Sequence, residues 1–271
     1  MKYQKLCDSH VHSVFSHDGR DPVMMLCDHA VNLGLHALTI TDHCECNLYI
    51  ERNYETAIQN SFLETQRAAA ALRGKLQLYK GIELGQATQN PQAANAILSA
   101  CQFDFVLGSL HNLNSLPDFY LLDYDTLDIH ALLSTYFDEL EELIEWGNFD
   151  SLSHLTYPLR YIVGEHKTAV SYERYQDRVD TILKALITRN KALELNTSGL
   201  RQAIGKTLPC PTVIQRFKAL GGKYLTLGSD AHRWSDVGAG LEQGCQIARQ
   251  AGFEHITIFV NREPVLIPIE S

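Results

Sequence analysis

The sequence holds 12 histidines, and the company several of them keep points to metal chemistry. Asp8-Ser9-His10-Val11-His12 and Ser229-Asp230-Ala231-His232 each set potential ligands two residues apart. On extended chain, side chains at i and i+2 share a face, so each pair can grip one centre or two adjacent ones. Thr41-Asp42-His43, Ile82-Glu83, Leu110-His111 and Ser153-His154 add further imidazoles and a carboxylate. A mixed nitrogen and oxygen donor set suits zinc, manganese or iron, whereas magnesium and calcium prefer oxygen alone.

Taken singly, each residue has a plainer explanation. His10 and His12 could be a buried hydrogen-bonded pair, His43 a turn residue, and Glu83 half of a salt bridge to Lys80 or Arg73. His111 and His154 could be satisfied core histidines. The elements that carry them argue otherwise. Strand-length apolar runs occur at Lys5–Ser9, Ala37–Thr41, Leu76–Gly81, Phe103–Gly108, Phe149–Ser153, Ala192–Asn196 and Lys223–Gly228, with a last one at His255–Val260. Six of the first seven have His, Glu or Asp at or just beyond their C-terminal end. Helices alternate with them. Asp21-Pro22 to Gly34 reads as N-cap, first turn and stop; Asn90-Pro91 and Asp128 open two more, the second running to Gly147. Ser171–Asn190 carries Tyr172, Tyr175, Val179, Ile182 and Leu186 at helical spacing, Pro211–Leu220 ends at two glycines, and a last helix ends near Gly252. Cys44–Asn60 and Leu113–Tyr124 read as irregular.

Strand–helix alternation predicts an α/β fold with parallel strands, and seven or eight such units favour a closed barrel. In such a barrel all the C-terminal strand ends lie on one face, where active sites sit. The glycine-rich loop of a dinucleotide fold is absent after the first strand. His29, His36, His130, His166 and His255 fall away from strand ends and are read as non-catalytic, and Cys44 and Cys46 as loop residues.

Composition limits the remaining possibilities. The chain has 271 residues, 45% hydrophobic and 20% charged, which excludes disordered, collagen-like and coiled-coil classes. No repeat or linker divides it, so residues 1–271 read as one domain. The net charge of −9 opposes binding to nucleic acid or anionic membranes. No run approaches the ~20 apolar residues of a membrane span. Seven cysteines without a framework of spacings suggest free thiols in a reducing cytoplasm.

In order along the chain, Asp8-x-His10-x-His12, Ser16-His17-Asp18-Gly19, Thr41-Asp42-His43, Glu83, His111, His154 and Ser229-Asp230-Ala231-His232 resemble the polymerase-and-histidinol-phosphatase (PHP) family of metal-dependent phosphoesterases. The resemblance implies a distorted, TIM-like (β/α)7 barrel with a trinuclear metal centre at the C-terminal ends of the strands. It implies one ion on His10, His12, Glu83 and Asp230, and a second on Glu83, His111 and His154, so that Glu83 bridges. A third would sit on Asp18, His43 and His232; some family members carry histidine at the Asp18 position, which leaves the adjacent His17 as the alternative.

Within the family, Ser153-His154-Leu155, Leu159-Arg160-Tyr161, the run from Leu193 to Arg201 and the Arg262-Glu263-Pro264 tail resemble the stand-alone phosphatases acting on L-histidinol phosphate. That subgroup implies a small phosphate monoester as substrate, two to three divalent zinc, manganese or iron ions as cofactors, and a metal-bridging hydroxide as nucleophile. Arg160, Arg201 and Ser229 are then expected on the substrate, and His43 or His232 as proton donor to the leaving alkoxide if the third site is empty. Other readings are a phosphoesterase for nucleotides or phosphotyrosine, and a non-catalytic metal-binding module.

Overall fold

A computed structural model describes residues 4–171 and 173–270. Its centre is a nearly closed barrel of seven parallel strands: β1 (Cys7–Val11), β2 (Ala37–Ile40) with its continuation β3 (His43–Glu45), β4 (Gln77–Gly85), β5 (Phe105–Ser109), β6 (Ser151–Leu152), β7 (Ala192–Asn196) and β8 (Leu225–Gly228). β4 is the longest at 9 residues. Its lower half pairs with β2 and its upper half with β3, which sets His43 opposite Glu83. β8 returns to β1 through the Val11–Ala231 bridge, reinforced by Asp230 N–H to His10 O at 2.8 Å and His12 N–H to Ala231 O at 2.8 Å.

Among the described residues, seven α-helices accompany the strands: α1 (Val23–Leu33), α2 (Tyr54–Ala71), α3 (Pro91–Ala100), α4 (Ile129–Trp146), α5 (Gln176–Thr188), α6 (Pro211–Ala219) and α7 (Leu241–Gln250). Several ends follow the sequence signals. Asn90 accepts from Ala93 N–H, and Asp128 from the His130 and Ala131 N–H groups, satisfying donors that a helix N-terminus leaves free. Gly34 and Gly147 end α1 and α4 at φ 72° and 71°, a conformation that costs other residues a Cβ clash.

Three expectations need correction. Asp21 does not cap α1; its carboxylate accepts from Trp234 N–H at 2.7 Å, and Pro22 stands at the cap position. The stretch Cys44–Asn60 is not irregular, since it contains the last two residues of β3, a short 3-10 turn and the start of α2. Two of the five residues that α2 buries, Ser61 and Thr65, are polar, which blurs its hydrophobic period. Cys44 therefore lies buried in β3, and Cys46 is buried in the short 3-10 turn that follows. Tyr172 lies outside the described residues, and the α-helix there begins at Gln176.

The last predicted strand forms outside the barrel, at the residues expected. β9 (His255–Val260) pairs antiparallel with β10 (Glu263–Pro268). The hairpin lies across the N-terminal mouth: Thr257 Oγ1 accepts from Leu225 N–H, Arg262 N–H donates to Asp104 O, and Phe259 stacks on Phe105 with centroids 5.2 Å apart. The bottom of the barrel is thus sealed by apolar side chains, each worth ~1.5–3 kcal/mol when fully buried. The opposite end is left open and polar.

Candidate metal centre

Glu83, near the end of β4, is the hub of the open end. Its side chain is 1% exposed and its two oxygens face different imidazoles. Oε2 lies 3.2 Å from His10 Nε2, 3.5 Å from His12 Nε2 and 3.0 Å from His43 Nδ1. Oε1 lies 3.2 Å from His111 Nε2 and 2.9 Å from His154 Nε2, and accepts from Ser109 Oγ at 2.6 Å. Asp230 Oδ1 completes the first group, 3.5 Å from His12 Nε2 and 3.8 Å from His10 Nε2. The Asp230 backbone is held at φ 54°, an uncommon conformation outside glycine. Asp18 stands above, 3.7 Å from His43 Nε2 and 3.1 Å from His232 Nε2.

The structure brings His10, His12, Asp18, His43, Glu83, His111, His154, Asp230 and His232 together at the open end of the barrel. His17 lies beside this group, its ring 5.2 Å from that of His43 and its Nδ1 3.9 Å from Asp18 Oδ1, with the Tyr54 hydroxyl at 3.5 Å. The lysine considered as a partner for Glu83 is engaged with another carboxylate: Lys80 pairs with Asp104 at 3.4 Å.

The residues fit divalent ions on the evidence of their own unmet bonds. His10 Nε2, His12 Nε2 and Glu83 Oε2 are buried without a hydrogen-bond partner among the described residues. An unpaired buried polar atom is costly, and three that converge call for a shared partner. His10/His12/Glu83, His43/Glu83/His111 and His12/His43/His232 each place their donor atoms within 4.8 Å of one another.

A second layer fixes which ring nitrogen each histidine presents. His10 Nδ1 pairs with Glu194 Oε1 at 2.6 Å, and His111 Nδ1 with Glu45 Oε1 at 2.9 Å. His12 Nδ1 lies 3.1 Å from Ser16 Oγ, whose hydroxyl donates to Asp42. His232 Nδ1 lies 3.1 Å from the Asp230 carbonyl. With Nδ1 carrying the proton, Nε2 is free as a ligand atom. Glu194 sits in β7, the one strand whose end lacked a candidate ligand, and Glu45 sits in β3. Neither was singled out from the sequence; in Glu194 the signal was a carboxylate set between Leu193 and Leu195.

The electrostatics follow from this crowding. Burial opposes the His10 cation, but Glu194, Glu83 and Asp230 hold its pKa well above the ordinary value. Burial likewise opposes the His111 cation, yet Glu45 and Glu83 push it up to about 10. His12 is drawn well below by burial and by the neighbouring His232 and His43. Against the cost of burial, the histidines hold Glu83 well below the usual carboxylate range.

A cavity of about 760 Å³ opens over this cluster, and Arg160 lines it. Its guanidinium stacks 4.9 Å from the Tyr157 ring centre and donates to Asp230 Oδ2 at 3.1 Å and Ser198 Oγ at 2.9 Å; its Nε is buried with no hydrogen-bond partner among the described residues. Arg201 and Ser229 are not on the cavity wall. Arg201 donates to the Ser229 carbonyl at 2.9 Å and faces Asp236, and Ser229 is fully buried with its N–H on Asp8 Oδ1 at 2.8 Å. Both secure the turn that presents Asp230.

A family model described as PHP domain matches residues 8–198. The chain belongs to the PHP domain family. Beyond the matched range, β8 still delivers Asp230 and His232 to the same centre. The chain is 29% identical over 253 residues to a probable histidinol-phosphatase of Thermotoga maritima, spanning 93% of this chain and 95% of that protein. It is 26% identical over 260 residues to the histidinol-phosphatase of Lactococcus lactis, spanning 94% of each. The crystal structure of a histidinol phosphate phosphatase from Lactococcus lactis, complexed with zinc, L-histidinol and phosphate, superposes with a TM-score of 0.80 at 23% identity, covering 96% of this chain and 99% of that one. Among the described residues no helix is long and apolar enough to cross a membrane.

Proposed function

We propose that this PHP protein hydrolyses L-histidinol phosphate to L-histidinol and phosphate, using two to three divalent zinc, manganese or iron ions. The observation that carries the reading is Glu83, whose two oxygens face separate sets of imidazoles at the floor of a cavity walled by Arg160. The names of the relatives and the ligands of the Lactococcus lactis structure supply the substrate.

His10, His12, Glu83 and Asp230 would hold a first ion, Glu83, His111 and His154 a second, and Asp18, His43 and His232 a third. Bound there, such ions bring the pKa of a water to near neutrality and offset charge on phosphoryl oxygens. Glu83 holds the first two sets against each other, and Glu194 and Glu45 orient the rings from behind. Arg160 offers its guanidinium to two phosphate oxygens in a geometry lysine does not match. In a chain of net charge −9, that local cation is what draws in a dianion. Where no ion occupies the third set, His43 supplies the proton for the leaving alkoxide. Burial opposes its cation, but Glu83, Glu45 and Asp18 hold its pKa well above the ordinary value. Arg201 acts from behind, through the turn that carries Asp230. The seven cysteines, all free, suit a cytoplasmic setting.

A phosphate-release panel on metal-loaded protein tests the assignment. L-histidinol phosphate should be turned over far faster than nucleoside monophosphates or phosphotyrosine. Preference for either of those compounds would reassign the substrate. Release from no substrate would leave a metal-binding module.

A further inference from the structure

The cavity extends well past the candidate ligands, and its outer half holds one carboxylate without a counter-charge. The other lining carboxylates, Asp18, Glu45, Glu83 and Asp230, each face at least one imidazole within 4 Å. Asp118 lines the same cavity with no lysine, arginine or histidine in ion-pair reach among the described residues. Its Oδ1 accepts from Tyr120 N–H at 2.8 Å and from the Tyr157 hydroxyl at 3.3 Å, while Oδ2 accepts no hydrogen bond among them. A half-buried carboxylate on a cavity wall, with one oxygen unpaired among the described residues, is a receptor for a cation.

The surroundings suit an organic cation better than a metal ion. Tyr157 and Tyr161 meet edge to face with centroids 5.5 Å apart, and Tyr161 meets Tyr120 in the same way at 5.9 Å. Tyr120 is 67% exposed, a large aromatic surface left bare at the cavity wall. Aromatic faces attract ammonium groups and cover flat rings. Position matters as well. The Tyr157 ring packs 5.0 Å from His111 and 4.9 Å from His154, and its hydroxyl reaches Asp118. Asp118 thus stands one tyrosine length from the candidate metal ligands, about the reach of a phosphoryl group plus a two-carbon spacer.

We propose that Asp118, framed by Tyr120, Tyr157 and Tyr161, binds the ammonium group of an amino-alcohol phosphate ester and so selects such esters over amine-free ones. The proposal rests on the histidinol phosphate reading, because that substrate carries its amine two carbons from the ester oxygen. Asp118 binds the leaving group and takes no part in the bond cleavage.

The test compares L-histidinol phosphate with its deamino analogue, imidazolylpropyl phosphate, in wild type and Asp118→Asn. Asparagine keeps an oxygen for Tyr120 N–H and the Tyr157 hydroxyl, so the turn stays capped while the charge is lost. The wild-type preference in kcat/KM for the amine-bearing ester should fall by about ten- to a hundred-fold in the variant, the value of a charge-assisted hydrogen bond. Activity on the deamino compound and metal content should stay at wild-type level. Equal loss on both compounds would make Asp118 a structural cap, and no change on either would remove the carboxylate from the amine; both overturn the proposal. Wild type that turns over other phosphate monoesters but neither of these would overturn the substrate reading itself, a result distinct from both.

Discussion

Replacing Arg160 by alanine separates phosphate binding from metal binding. The side chain is 12% exposed, and its NH2 group donates to Asp230 Oδ2 and Ser198 Oγ. Its loss removes one donor from Asp230. Two others remain on the same oxygen, Ser198 Oγ at 3.1 Å and Asn196 Nδ2 at 3.3 Å. Asp230 Oδ1, the atom facing His10 and His12, is untouched. Metal content should therefore persist. Loss of a charge-assisted contact to the phosphate costs about 1.5–3 kcal/mol, or roughly ten- to a hundred-fold in kcat/KM. Arg160→Lys should recover only part of this, because an ammonium lacks the planar fork. Steady-state kinetics on L-histidinol phosphate, run alongside elemental analysis, read both quantities. Unchanged efficiency with metals retained would refute the phosphate contact. Activity lost in proportion to metal would show that Arg160 works only by holding Asp230.

Further outcomes follow from the same geometry. Glu83→Ala should abolish turnover while circular dichroism still reports a folded barrel, since the residue's partners are ring nitrogens and Ser109 Oγ rather than apolar core. Gly228→Ala should destabilise the protein by about 1–3 kcal/mol in thermal unfolding and weaken metal binding, because a Cβ there overlaps both Glu194 Oε1 and His10 Cβ. Metal affinity should rise with pH. His111, buried but held by Glu45 and Glu83 at about 10, carries a proton in the metal-free protein at neutral pH, and binding must release it. Affinity measured at pH 6 should then be weaker than at pH 8, and an affinity independent of pH would contradict the proton count.

What was legible in the sequence traces back to alternation and to strand ends. Apolar runs closed by His10, His43, Glu83, His111, His154 and Asp230 mark a ring because parallel strands share one C-terminal face. Asn90-Pro91 and Asp128 announced their helices through caps, a signal local to a few residues. Less legible features depend on tertiary partners. β3 has three residues, too few for a period, and α2 buries Ser61 and Thr65, whose type suggests solvent. Glu194 and Glu45 act behind the histidines, and only the barrel's closure through β8 brings Glu194 within reach of His10. Ser229 and Arg201 adjoin the right motifs. The turn at Asp230 sends Ser229 to Asp8, and Arg201 to a carbonyl of that turn.

The central claim, that Glu83 joins two ion sites that work as one, is met most directly by titrating metal-stripped protein with zinc or manganese. Bound ion per chain and the initial rate of L-histidinol phosphate hydrolysis are followed together. The account predicts little activity at one ion per chain and a rise to full rate only as the second is bound. Full activity at one ion per chain would contradict it.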